Sequence, residues 1–362
     1  MLTGHSMVQS VCRLVMPVLT LVFILVPGLA PAQDAATTTS AVILQYHHVS
    51  STTPRVTSVN AAEFRQHLEY LRDNGFTVLR LEEVVHTLRN RGTLPDKTAA
   101  ITFDDGYRNN FDTAFPLLRE FGYPFTLFVS SGLVGSNAQL YLNWDQLREM
   151  AANGATIANH GISHPYLLER AEGEDDAAWL QRIEHEILTG EAEIEKQTGQ
   201  SHKLFAYPYG EYDRPIQDLV AQLGFVGIGQ HSGPVNASSD FTALPRFPFS
   251  GIYAAINTFA VKMHTLAFDV KLLSPVTQIT DAQTPDAVLD FNGTYRFDAL
   301  NCFNNNERMR VSVENTEEQQ YRVTPLVPNT ARRFRYNCTA PAPNGRFYWY
   351  SITWVNPALE DY

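Results

Sequence analysis

Cysteine is scarce: three residues in a chain of 362. Cys12 lies ahead of an apolar run near the N-terminus. If that segment is removed, Cys302 and Cys338 remain, and an even pair in an exported chain suggests one disulfide. Both stand in the last quarter of the chain, so the bridge would staple a C-terminal domain. Basic clusters are missing as well. The net charge is −11, and no Lys/Arg run is long enough to follow a phosphate backbone, which argues against nucleic acid. The acidic balance says little about a neutral sugar. The one apolar run, Leu14 to Val26, is short and is interrupted by Pro17 and followed by Pro27, a poor membrane span. No internal repeat is found. What remains is a globular composition, 44% hydrophobic, in a chain long enough for two domains.

The N-terminus reads as an export signal. Arg13 precedes the apolar run, and Ala30-Pro31-Ala32 has the small-x-small form of a cleavage site. The expectation is a signal peptide over residues 1–32, a polar linker over 33–40, and a mature protein that is periplasmic or extracellular with no stable membrane span. An uncleaved anchor is the alternative.

From residue 41 to about 272, strand and helix patterns alternate, which predicts a parallel α/β sheet, open or closed into a barrel. Helical spacing is read in Phe64, Leu68 and Leu71, in 81–90, 111–121, 144–152, 179–198 and 216–223. Beyond about 270 that periodicity disappears. Runs at 288–297, 308–313, 321–326, 332–338 and 347–355, separated by Asn/Gly/Pro turns, predict a small antiparallel β-sandwich over 280–362. The boundary is placed between Asp269 and Asp286.

The reactive residue types fall directly after predicted strands. Ala99 to Phe103 ends in Asp104-Asp105-Gly106. Two adjacent carboxylates cannot both ionise cheaply, and a cation on one leaves the other free to act as a base. Asp-Gly is also a very common turn signal. His160-Gly-Ile-Ser-His164 follows another strand, with Pro165 biasing His164 away from the α region. One carboxylate and two imidazoles make a facial set of three that leaves open positions for water and substrate. His47, the two aspartates, His160 and Pro208-Tyr209 should therefore share the C-terminal rim of a parallel sheet.

Taken together, Thr102-Phe-Asp-Asp-Gly106, His160-Gly-Ile-Ser-His164 and Phe205-Ala-Tyr-Pro-Tyr-Gly210 resemble the polysaccharide deacetylase family (NodB homology, carbohydrate esterase family 4). The initial Tyr46-His-His-Val49 is most similar to the exported poly-N-acetylglucosamine deacetylase branch. The resemblance covers roughly residues 40–270. It implies a distorted (β/α) barrel, a divalent metal, usually zinc, and hydrolysis of N-acetyl groups on an amino-sugar polymer. It assigns Asp104 as general base, Asp105, His160 and His164 as metal ligands, and the backbone N–H of Tyr209, in a turn set by Pro208, to the oxyanion.

Two family features are missing. Where an arginine commonly holds the base, this chain has Ala206; Arg246, in Leu-Pro-Arg-Phe, is the candidate replacement. The late Leu-x-His motif of the general acid is absent too. His47 is the preferred substitute, ahead of His48, His231 and His264. Along 347–355, Tyr348, Tyr350 and Trp354 share one face and Trp349 the other. A sandwich core is favoured over a sugar-binding face. The rival functions are a chitin-oligosaccharide or peptidoglycan deacetylase, and a catalytically weak polysaccharide-binding protein.

Overall fold

Strand side chains alternate between faces, and here the alternation sorts apolar residues onto two layers. The computed structural model describes residues 1–5, 7 and 40–360. The export-signal reading and most of the linker lie outside the described residues. An eight-stranded sheet runs Phe247–Pro248, Ala41–Tyr46, Thr98–Phe103, Phe125–Val129, Ala155–Asn159, Leu204–Ala206, Val226–Ile228, with Thr77–Val78 also pairing to Thr98–Phe103. Every pairing in it is parallel. Its two ends meet on one segment. Leu44 pairs with Phe247, while the Gly229 N–H donates to Leu244 O and the Leu244 N–H to Gly227 O, each at 2.8 Å.

One face of the strands carries Val42, Leu44, Tyr46, Ile101, Phe103, Leu127 and Ile157. It packs on helices α1 (Ala61–Asp73), α3 (Phe115–Phe121), α4 (Trp144–Ala152) and α7 (Ile256–Met263). The opposite face carries Ile43, Ala100, Phe128, Ala158, Ala206 and Ile228, and α2 (Leu81–Arg89) contributes Leu81, Val84 and Leu88 to that cluster. Helices α5 (Asp176–Thr198) and α6 (Arg214–Gln222) cover the strands at 204–206 and 226–228 with a further apolar cluster. On the inner face the residues turn polar toward the strand ends: Gln45, Thr102, Asp104 and Thr126 are all buried. Such groups need partners, and those partners define the site.

The helix over 111–121 begins differently from the expectation. Asn110–Ala114 is a π-turn and only Phe115–Phe121 is α-helical.

Two mainly antiparallel sheets follow. One has the order Thr265–Ala267, Phe347–Val355, Arg333–Pro341, Asn301–Asn304, Glu307–Arg308. The other runs Val270–Ser274, Ala287–Phe291, Gln320–Thr324, Arg310–Asn315. They share one core with Leu289, Cys302, Tyr336, Ile352 and Trp354. The expected strand 288–297 stops at Phe291, and Phe297 lies in a short 3₁₀ turn. Asn301–Asn304 went unpredicted because its asparagines read as a turn. The cross-strand pair Cys302–Cys338 is disulfide-bonded there, joining neighbouring strands of one sheet. Strand residues 265–267 and 270–274 already belong to these sheets. Trp354 is core, and Trp349 on the opposite face packs edge-on against Phe247 at 5.3 Å.

Candidate active site

Asp104 sits at the end of its strand with no exposed surface. Arg246 meets it end-on with two 2.7 Å hydrogen bonds, Nη1 to Oδ1 and Nη2 to Oδ2. The guanidinium is fully buried and also donates to Gly229 O and Thr102 Oγ1. Gln45 Nε2 adds a 2.7 Å bond to Asp104 Oδ2. Burial alone would raise the Asp104 pKa. The charge and hydrogen bonds of Arg246 outweigh it and hold the carboxyl below its ordinary range. Asp104 is therefore ionised at neutral pH, a fixed acceptor.

Asp105 (φ +71) and Gly106 (φ +67) leave the strand through left-handed backbone, which separates the two carboxylates. The Asp105 Oδ1 lies 3.3 Å from His160 Nε2 and 3.2 Å from His164 Nε2. The three ligand atoms all lie within 4.8 Å of one another. His160 Nδ1 is 2.7 Å from Ala206 O. A carbonyl only accepts, so that nitrogen carries the hydrogen and Nε2 presents a lone pair. Buried Nε2 and Oδ1 face each other with no hydrogen-bond partner. Two acceptors aimed at one point call for a cation. Burial alone would raise the Asp105 pKa, but the two imidazoles beside it hold it well below the carboxylate range. The donor set, two imidazole nitrogens and one carboxylate, fits a divalent ion such as zinc.

The loop carrying both histidines is shaped from beneath. Asn159 accepts from the Gly161 N–H and donates to Ile187 O on α5. Glu186 on α5 accepts from the N–H groups of Ile162 and Ser163. A Cβ at Gly190, also on α5, would stand 2.9 Å from both Asn159 Oδ1 and Gly161 O, so only glycine lets the loop lie this close. His164 turns with φ +56, neither right-handed helical nor extended. These supports were missed in the sequence. Asn159, next to His160 at a strand end, was the visible hint.

The other nominated residues separate clearly. His47 is half-buried beside both carboxylates, lowering the pKa of each, and its carbonyl accepts from Asn110 Nδ2 at 2.7 Å. His48 is stacked on Tyr107 at 3.6 Å and accepts from Asn109 at Nδ1; burial pushes its pKa down to about 4. Burial likewise lowers His231 to about 4, with its ring against Gly229. His264 is bonded to Tyr70 and packs on Phe76, outside this cluster. Pro208 is buried and Tyr209 has φ +58. The Tyr209 ring stands 4.5 Å from His164 and stacks on Tyr166 at 3.8 Å.

An α/β domain with a base-like carboxylate next to an Asp-His-His set defines a class of hydrolytic sites. Residues 91–228 match the Polysaccharide deacetylase family. Over those residues the chain is similar to that family. The Bacillus subtilis (strain 168) protein YxkH, whose name places it among polysaccharide deacetylases, is 28% identical over 205 residues, covering 56% of this chain and 69% of its own. The poly-beta-1,6-N-acetyl-D-glucosamine N-deacetylase of Escherichia coli (strain K12) is 23% identical over 241 residues, covering 57% of this chain and 36% of its own. The chain thus spans about a third of that relative's length. Among solved structures, the Streptococcus pyogenes deacetylase PplD in complex with acetate superimposes with a TM-score of 0.57 at 25% identity, over 63% of this chain and 99% of its own.

Proposed function

We propose that the protein is an exported, metal-dependent N-deacetylase of a polysaccharide containing N-acetylglucosamine, built on a distorted (β/α) barrel with a C-terminal β-sandwich. The single observation that carries this reading is the Arg246–Asp104 pair beside the convergent Asp105, His160 and His164. It answers the missing arginine at Ala206 and favours an enzyme over a weak binder.

Asp105, His160 and His164 would hold the ion, most naturally zinc. When bound, it supplies Lewis-acid polarisation of the acetyl carbonyl and a lowered pKa for water. Asp104, kept ionised by Arg246, accepts the proton from the attacking water. The Tyr209 N–H, presented by the strained 208–210 turn, donates to the oxygen that gains charge. His47 returns a proton to the leaving amine as the C–N bond breaks. The products are acetate and a free amino sugar. His48 and His231, neutral at pH 7 with pKa values near 4, are poorly suited to that last step. The E. coli relative's name supports poly-β-1,6-N-acetylglucosamine as the first polymer to try.

The test is acetate release from poly-N-acetylglucosamine, chitin oligomers and peptidoglycan, measured after chelation, after zinc is restored, and with Asp104→Asn and His47→Gln. Zinc-dependent release abolished by Asp104→Asn is expected, with the substrate ranking naming the polymer. Stoichiometric zinc binding without acetate from any polymer would overturn the enzyme reading.

A further inference from the structure

Glu211 is fully buried one residue beyond the Pro208-Tyr209-Gly210 turn. Its carboxylate meets Arg332 twice, Nε to Oε1 at 2.7 Å and Nη2 to Oε2 at 2.9 Å, and Arg333 Nη1 to Oε1 at 3.1 Å. Arg333 opens the strand Arg333–Pro341 and Arg332 immediately precedes it, and the ion pairs of Glu211 found among the described residues run to these two. The same two side chains reach the turn's aromatic ring and its neighbour. Arg333 lies over the Tyr209 ring at 5.5 Å and Arg332 over Tyr166 at 4.7 Å. Those rings are stacked at 3.8 Å and 1°. Tyr209 then touches the proposed ligand His164.

We propose that the C-terminal sheets are part of the catalytic unit, with Arg332 and Arg333 as positioning residues that clamp the 208–211 turn through Glu211 and the Tyr166–Tyr209 stack. The inference rests on reading that turn as the oxyanion donor. The physical need for a clamp is local. Tyr209 has a side chain yet sits at φ +58, and strained backbone of this kind persists only where its surroundings over-determine it. Within the turn itself, Gly210 N–H to Tyr207 O and Glu211 N–H to Pro208 O are ordinary turn bonds at 2.9 and 3.2 Å. They do not select the left-handed conformation at Tyr209. The ring stack, its two guanidinium neighbours and the buried carboxylate do. A carboxylate buried without its cations is strongly disfavoured, so Glu211 can stay inside only while the C-terminal sheets are docked. Arg332 is in turn pinned by the carbonyls of Pro357 and Leu359 at 3.2 and 3.0 Å.

An oxyanion donor acts mainly in the transition state, so its misplacement lowers kcat and spares KM. The test uses the full chain. Arg333→Met is a mild variant, since Arg332 still pairs with Glu211. Glu211→Gln with Arg332→Met removes the buried pair without leaving a lone buried charge, since Arg333 is partly exposed. Both are compared with Arg333→Lys for kcat and KM in acetate release, zinc stoichiometry, and hydrogen exchange of the amides over 207–212 and over 160–164. Expected are an about ten- to hundredfold fall in kcat, KM within about twofold, one zinc retained, and faster exchange confined to 207–212, with Arg333→Lys recovering part of the activity. Unchanged kcat and unchanged exchange over 207–212 in the folded double variant would overturn the clamp. If the wild-type chain releases no acetate, the oxyanion reading fails, and the exchange readout still decides whether the arginines hold the turn.

Discussion

Replacing Arg246 by methionine separates a base held ready by charge from one that is merely buried. Arg246 and Asp104 are both fully buried and share two 2.7 Å hydrogen bonds. Methionine is close to the arginine stem in volume, so the main loss is the guanidinium. Asp104 would keep Gln45 as a donor but lose its guanidinium. Removing one partner of such a pair costs about 3–5 kcal/mol. The sign of the pH dependence follows from the wild-type shift. Asp104 is depressed when folded, so its contribution to stability is present above the unfolded value of about 3.9 and is lost as pH falls through the lower folded value. In Arg246→Met, burial is opposed only by the weaker pull of His160 and His47 and pushes the carboxyl up. The variant then folds at neutral pH only with a buried charge or a captured proton. Its deficit relative to wild type should be largest near neutral pH and shrink toward about pH 4, where the proton is easily supplied. The acid limb of the pH–rate profile should move up in parallel, because the base must be ionised to work. Thermal midpoints and acetate release across the pH range measure both. A stability difference that is flat with pH, together with an unmoved acid limb, would refute this account of Asp104.

Mutating either end of the metal set, Asp105→Asn or His164→Ala, should abolish stoichiometric zinc binding by native mass spectrometry, and binding by the wild type should weaken as pH falls, because protons compete with the ion for its ligands. Gly190→Ala should leave the chain folded but push the 160–164 loop off α5, lowering zinc affinity about tenfold or more, as supporting-residue changes do; isothermal titration would detect it, and an unchanged affinity would show that the loop relaxes freely. The Cys302–Cys338 bridge closes a sequence separation of 36 residues, so replacing both cysteines by alanine should cost roughly 3–4 kcal/mol, read as a lower denaturation midpoint with zinc stoichiometry unchanged.

Much of the site was legible because its chemistry is carried by short-range pattern. An apolar strand that breaks at Asp104-Asp105-Gly106 must present its acids at a strand end, and parallel pairing collects such ends on one rim. His160 and His164 follow the same rule, and the structure brings both to Asp105. Arg246, nominated because Ala206 stands where an arginine is expected, pairs with Asp104 although 142 residues separate the two. Gln45, Asn159, Glu186 and Gly190 were not singled out. Their importance lies in which buried group each one faces, and local composition carries no trace of that. Asn301–Asn304 was missed for a related reason. Asparagine favours turns, and only pairing with the strand that contains Cys338 makes an extended conformation the better choice.

Local chemistry in the chain thus dictated the alternating α/β order, the acid pair, the histidine pair and the strand-rich C-terminal part, since periodicity and turn residues act over a few positions. Docking decided the rest. The sequence leaves Glu211, Arg332 and Arg333 looking like ordinary charged residues, and Trp349 like one more aromatic of a β-strand. Folding buries the carboxylate at the rim, closes both guanidiniums on it, and seats Trp349 against Phe247. Burial and long-range pairing are properties of the whole packed molecule, and they turn an apparently appended pair of sheets into a wall of the candidate active site.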